Sequence, residues 1–414
     1  MTEATDLSFA ARPTDDTRLI AGVSAVHFIS HFYMLVLPPL FAFVRADYGV
    51  NYTEISLALT VFMAVSAILQ TPAGFLVDRT SARLILAGGV VLGAMALVVA
   101  ALLQSYWALV GAFGLLGLAN TVYHPADYAL LSRHVSPEHM SRAYSIHTFS
   151  GLLGGAVTPA AMLFMHGLFG WRGAFIGAAV LGCVVAATFL VLSDGAPEHT
   201  AKSKTGSAAP DTSWRLLLSA PILINFVFFA LMAFCSFAFM NFSVVALGAL
   251  YGTSAATANS ALTGYLLLSA LGVLAGGVIS ARFPRHGLIA ALGMGLTGLS
   301  ALIIGIFDLG APALITAASL GGFFFGAILP ARDLILRAAT PAGAFGKVFG
   351  FVTNGFNIGG IVTPLVFGAL LDHGAPRLVF FGIALGALGA ILMISCATRT
   401  GVTRVGATRK PAAL

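Results

Sequence analysis

Along this chain, apolar stretches of twenty or more residues alternate with short breaks of Gly, Pro and charge. The apolar residues cover every face of the helices they would form, which marks helices buried in a very large core or in lipid. About 20 such residues cross the hydrocarbon of a bilayer. The pattern predicts twelve spans, near 18–44, 52–77, 83–104, 106–132, 143–167 and 171–193, then 216–249, 255–281, 287–307, 311–337, 346–371 and 376–397. One long polar break, SDGAPEHTAKSKTGSAAPDTSWR from Ser193 to Arg215, reads as a flexible linker and separates six spans from six. The domain plan is a tail at 1–17, a bundle at 18–193, a linker at 194–215, a second bundle at 216–398 and a tail at 399–414.

Composition agrees with lipid rather than core. Of 414 residues 58% are hydrophobic and 9% charged, with a mean hydropathy of +0.96, against about 25% charged residues in soluble domains. The basic residues then fix an orientation, because Lys and Arg favour the cytoplasmic side. With the N-terminus inside, every Lys and Arg except Arg45, Arg172, Arg377 and Arg332 falls on that side. A multi-pass protein of a bacterial-type inner membrane, with both termini cytoplasmic, is expected. The first residues are polar and precede an apolar run too long for a signal peptide, so no cleaved leader is expected. The net charge of +6 is spread between the spans rather than gathered in one stripe, so nucleic acid is not an expected partner. Cys183, Cys235 and Cys396 lie apart in apolar runs without CxxC spacing, which argues against a disulfide framework or a thiolate metal site.

The two halves repeat. A shift of 205 positions lays GGAVTP (Gly154 to Pro159) on GGIVTP (Gly359 to Pro364), Pro125-Ala126 on Pro330-Ala331, Arg142 on Lys347, Arg172 on Arg377 and Phe175 on Phe380. Parallel repeats of six spans mark transporters whose halves rock about a site near the midplane. The fold class expected is therefore an all-α polytopic membrane protein, its 12 transmembrane helices forming two pseudo-symmetric six-helix bundles.

On these features the chain resembles the major facilitator superfamily over nearly its whole length. The loop GFLVDRTSAR carries the family's Gly-x-x-x-Asp-Arg element on Gly74, Asp78 and Arg79, with Arg83 following and Ser81 where the family usually has Gly. The second-half counterpart keeps Gly277 and Arg282 but has Ala281 in place of the acid. The resemblance implies a cytoplasmic latch here, so Gly74, Asp78, Arg79, Arg83 and Arg282 are assigned to gating. Within the superfamily, SAVHFISHFYMLVLPPL (Ser24 to Leu40) and VYHPADYALLSR (Val122 to Arg133) are similar to the fosmidomycin-resistance-like branch. Ser30 and His31 stand where that branch usually has Asn-Asp. The resemblance implies that spans one, four, seven and ten line a central cavity.

Polar side chains inside the spans are the candidates for function, since a charged group at the bilayer centre costs about 2.5–3.5 kcal/mol on insertion scales and normally faces water or a partner. Asn120, His124, Asp127 and Tyr128 recur at steps of three and four, which puts them on one helical stripe; Ser24, His27 and His31 form another. At about 1.5 Å per residue, His27, His31, His124, Asp127, His147, Arg332, Asp333, Asn354 and Asn357 share one layer between the inner third and the midplane. Asn225 opens the aromatic seventh span NFVFFALMAFCSFAFMNF, whose Phe residues are mostly packing but would supply an apolar cavity wall.

The 205-residue shift sets Asp127 opposite Arg332, an acid in one half against a base in the other. A carboxylate beside a guanidinium keeps its charge, and one that loses this partner in an apolar setting takes up a proton, so the pair, with Asp333 as competitor for Arg332, is expected to sense the transport state. His31 and His124 are the second proton candidates. The purely structural alternatives are hydrogen-bonded core histidines, asparagines gluing helices together and prolines that bend them. HFISH has helical ligand spacing but lacks the Glu of HExxH, so no metal is expected, nor any other cofactor. Enzyme motifs such as GxSxG and the nucleotide-binding GxxxxGK[ST] are missing from the sequence. The expected activity is proton-coupled transport of a small organic solute, anionic or amphipathic and drug-like, by a monomer, outward rather than inward; uptake of a small metabolite is the alternative, with an intramembrane enzyme or a sensor behind it.

Overall fold

The computed structural model describes residues 16–136, 139–193, 216–340 and 345–399, and among these no strand occurs. The expected linker and nearly all of both tails lie outside the described residues. The helices are α1 (Asp16–Met34), α2 (Phe41–Tyr48), α3 (Tyr52–Arg79), α4 (Ala82–Leu102), α5 (Tyr106–His134), α6 (Met140–Leu192), α7 (Ala220–Tyr251), α8 (Ala255–Arg282), α9 (His286–Ile306), α10 (Ala311–Ala339), α11 (Phe345–Asp372) and α12 (Arg377–Arg399).

Helix numbers and membrane crossings differ at two places, and local chemistry explains both. The first predicted span breaks at a 3-10 turn, Pro38–Leu40, because two consecutive prolines supply no N–H for an α-helical bond; α1 and α2 together make one crossing. Helix α6 runs for 53 residues, roughly 80 Å if straight and far more than the ~30 Å hydrocarbon. It folds back at Gly170, whose φ of 70° and ψ of 175° are not helical and are open to glycine at no steric cost. Met165 Sδ lies 2.6 Å from where a Cβ on Gly177 would sit, so the chain has reversed. The eleven candidate spans of the described residues thus hold twelve crossings, with the fifth and sixth close to their predicted bounds.

Helix α1 packs on α6, α3 on α5 and α4 on both α5 and α6; in the second half α7 packs on α11 and α12, and α10 on α8 and α9. The halves meet along α3 with α11 and α6 with α8. Close approach of helices is secured by small residues, as expected where lipid offers no hydrophobic drive for association. Gly322 and Gly326 of α10 lie on the carbonyls of Tyr265 and Ser269, while Gly272 and Gly276 of α8 lie on those of Phe323 and Ala327.

The repeat is visible atom by atom. Thr158 Oγ1 donates to Gly154 O at 2.7 Å, and Thr363 Oγ1 donates to Gly359 O at 2.6 Å. Gly154 packs on the Phe28 carbonyl of α1 and Gly359 on the Ala230 carbonyl of α7. Judged by these contacts, α1 and α7 are equivalent elements. Leu385, Leu388, Trp107, Phe164 and many other large apolar side chains are exposed, forming the surface that faces lipid.

Candidate functional site

Helices α1, α5 and α6 bring four histidines and one carboxylate together. Asp127 is 0% exposed, His147 1% and His27 4%. His147 Nε2 lies 3.0 Å from Asp127 Oδ2 in a buried hydrogen bond. His27 Nδ1 lies 3.2 Å from the same oxygen, within ion-pair range, yet it is not aligned for a hydrogen bond and remains a buried polar atom without a partner, as do Asp127 Oδ1 and His147 Nδ1. The His27 and His147 rings stack with centroids 3.8 Å apart. His31 and His124 follow at 4.7 and 5.3 Å from the His27 ring.

A path leads outward from this cluster. His124 is exposed, Tyr128 is 46% exposed, and the Tyr128 ring lies 5.5 Å from His147 and 5.4 Å from Tyr144. Tyr144 borders a cavity of ≈ 540 Å³ between α6 and α8 that also touches Ser145, Thr148 and Pro330. Buried polar groups with few partners cost stability, by about 1–3 kcal/mol for each unmet bond. Their concentration on one stripe from three helices marks the N-terminal bundle's chemistry.

The second half answers with a cation. The Arg332 side chain is 16% exposed and that of Asp333 46%, with Arg332 Nη2 2.9 Å and Nε 3.0 Å from Asp333 Oδ1. The Arg332 guanidinium also lies over the Phe229 ring at 4.5 Å. Pro330, two residues before Arg332, lines the same cavity as Tyr144, so the two halves face each other here. In this conformation Asp127 has histidines as neighbours and Arg332 has Asp333, the competitor anticipated from sequence.

Other candidates point elsewhere. Asn120 donates to Ser66 Oγ at 3.3 Å and ties α5 to α3. Asn225 donates to Pro221 O on its own helix, and Asn357 donates to Asn354 Oδ1 at 3.2 Å. Ser30, in the place of the related branch's Asn, donates to the His27 carbonyl at 2.8 Å. The aromatic residues of α7 mostly pack: Phe226 stacks on Phe351, and Phe237 meets Phe356 edge to face.

In the expected gating loop Gly74 has open space around it, while Arg79 and Arg282 are exposed. The Asp78 side chain lies outside the described residues. Arg83 donates to Ser193 Oγ at 2.9 Å and to Leu190 O, joining the start of α4 to the end of α6. Ser81 has a local reason to replace glycine: its side chain accepts from Leu84 N and caps α4.

Sequence reasoning missed three contributors. Gly151, one turn beyond His147, leaves room for the imidazoles, since a Cβ there would sit 2.5 Å from the His27 ring and 3.0 Å from His31. Phe229 was one Phe among many until Arg332 came to rest on it. Asp372 carried no signal at all, yet it bonds to Tyr52 and Thr53 of the other half. The metal expectation also assumed that no acid would join the histidines; folding brings donor atoms of His27, Asp127 and His147 within 4.8 Å of one another. Chain folding, rather than HFISH spacing, makes that set.

Two six-helix bundles with polar side chains between them define a multi-pass carrier of small solutes. A family model described as Major Facilitator Superfamily matches residues 23–253 and 229–412, and the chain belongs to that superfamily. It is similar to the probable nitrate/nitrite transporter NarK2 of Mycobacterium tuberculosis, 28% identical over 81% of this chain and 85% of that one. It is likewise similar to the fosmidomycin resistance protein of Escherichia coli, 23% identical over 87% and 88%, and to the probable sulfoacetate transporter SauU of Cupriavidus necator, 25% identical over 86% and 87%. Among solved structures, a bacterial homolog of the human lysosomal transporter Spinster in an inward-facing, occupied conformation superposes with a TM-score of 0.78 at 13% identity, over 97% of this chain and 100% of that one.

Proposed function

We propose that the protein is a proton-coupled transporter of a small organic anion, working by alternating access in the inner membrane with both termini cytoplasmic. The observation that carries the reading is one buried carboxylate, Asp127, hydrogen-bonded to His147 at 3.0 Å with the His27 imidazole 3.2 Å away, in the half that faces Arg332. A proton can reside on the carboxylate or on His147 with little movement of heavy atoms, and His31, His124 and Tyr128 extend the pathway toward the centre. Arg332 supplies the positive charge for an anion, with Phe229 as an apolar floor that also attracts the guanidinium. Two relatives, a probable transporter of nitrate/nitrite and a probable transporter of sulfoacetate, support an anion.

Outward transport is the direction supported by likeness to a resistance protein. The inward alternative has its own observation, because Asp333 and an anion compete for Arg332. A bound anion that releases Asp333 to take a proton would travel with that proton, which is symport. Proteoliposomes under an imposed pH gradient, assayed with a panel of organic anions and an internal pH dye, decide between them. Solute movement with no accompanying proton flux at any pH would remove proton coupling. Binding screens by thermal shift, run with the native chain and Asp127→Asn, are the route to the solute.

A further inference from the structure

We infer that Asp372, at the end of α11, is a latch between the two bundles whose carboxylate must release the first turn of α3 whenever that face of the molecule opens. Asp372 Oδ1 accepts from Tyr52 N at 2.6 Å, and Oδ2 accepts from Thr53 N at 2.7 Å and from Thr53 Oγ1 at 2.5 Å. These bonds join residues about 320 positions apart, from opposite halves of the chain. A carboxylate against free N–H groups at a helix start gains from charge-assisted bonding and from the helix dipole.

Helix α3 does not need this group in order to begin. Its own capping box is complete, with Glu54 N donating to Asn51 Oδ1 at 2.8 Å and Asn51 N donating to Glu54 Oε2 at 2.7 Å. What Asp372 adds is the connection to the other bundle. The repeat sharpens the point: 205 positions earlier stands Gly167, with nothing near its Cβ position, and the first turn of α8 is capped by its own Ser254. Scaffold features such as the Thr158 and Thr363 bonds occur in both halves, whereas this bond occurs in one.

The contact continues along both helices. A Cβ on Gly368 would lie 3.0 Å from Ser56 Oγ and from Thr53 Cα, and one on Gly360 would lie 2.3 Å from Met63 Cε. Phe41 and Phe242 meet edge to face at 5.8 Å, adding an aromatic contact between α2 and α7. The rim of this seam lies at the face opposite Asp16 of α1 and Arg399 of α12. Glycines let the helices touch, and Asp372 holds their rim.

The inference stands apart from solute and proton coupling, so its test uses neither. A Cys183→Ser, Cys396→Ser background retains Cys235, which is 1% exposed inside the second half and reports unfolding. Ser56→Cys then places a thiol in the seam, where Ser56 is 0% exposed. In detergent, modification by a water-soluble maleimide is followed by mass spectrometry. Asp372→Asn is expected to raise the rate at position 56 about tenfold, with Cys235 still protected and Asp372→Glu restoring slow modification, as expected when a charge-assisted contact biases a two-state equilibrium. An unchanged rate in Asp372→Asn would overturn the latch. So would equal acceleration at Cys235, which would make the carboxylate a support for the fold as a whole.

Discussion

The two bundles are built alike and furnished differently. Gly154 on Phe28 and Gly359 on Ala230 define equivalent positions in α1 and α7, so His27, just before Phe28, corresponds to Phe229, just before Ala230. The 205-residue shift pairs Asp127 with Arg332, His147 with Val352 and Gly151 with Phe356. One half therefore holds a carboxylate beside two stacked imidazoles, with a glycine making space; the other holds a guanidinium over a phenyl ring, with Val352 and Phe356 at the positions of His147 and Gly151. Repetition preserved the backbone contacts that bring helices together, while the side chains packed beside them differ between the halves. A carboxylate among histidines in one half and a guanidinium in the other stand asymmetrically on a symmetric frame.

This contrast can be broken at its strongest point first. Asp127→Asn keeps shape and hydrogen bonding but removes the ionisable group, and in proteoliposomes it is expected to abolish pH-driven transport while the purified protein keeps its melting temperature within a few degrees. Retained pH-driven flux would strike Asp127 from the mechanism. Arg332→Ala is expected to raise the solute KM by about 10- to 100-fold, the equivalent of one charge-assisted bond of about 1.5–3 kcal/mol, without removing the pH response. Loss of the pH response in that variant would instead tie the two halves into one titrating unit.

Smaller effects test the frame and the floor. Gly154→Ala and Gly359→Ala each force a methyl onto a helix carbonyl, and both are expected to destabilise the protein by about 1–3 kcal/mol in thermal or denaturant unfolding. If only one of them does, the backbone equivalence drawn above is wrong. Gly151→Ala is expected to displace the His27 ring and change the pH profile of transport with a lesser loss of stability, because a side chain can move where a backbone carbonyl cannot. Phe229→Leu removes a cation–π contact worth about 0.5–2 kcal/mol and is expected to raise KM only several-fold.

Hydrophobic length and an internal repeat were sufficient for the fold, since a bilayer demands long apolar helices and a doubled chain demands two similar bundles. The gap expected between the fifth and sixth spans falls at Gly170, but other local chemistry went unread: the expected first span runs unbroken through Pro38-Pro39, and Ser81 as a helix cap emerged only from the structure. Spacing put Asn120, His124, Asp127 and Tyr128 on one stripe of α5, and of these Asn120 turns to Ser66 of α3 while His124, Asp127 and Tyr128 gather about His147 and His27. Spacing could not supply those partners. Asp127 met His147 because α6 crosses α5 at one particular height, Arg332 settled between its neighbour and an aromatic ring from another helix, and Asp372 found the start of α3 about 320 residues away. Periodicity assigns a side chain to a face of its own helix; the group waiting at that face is determined by how glycine contacts and helix crossings set the helices against one another, and those distances exist only in the folded chain.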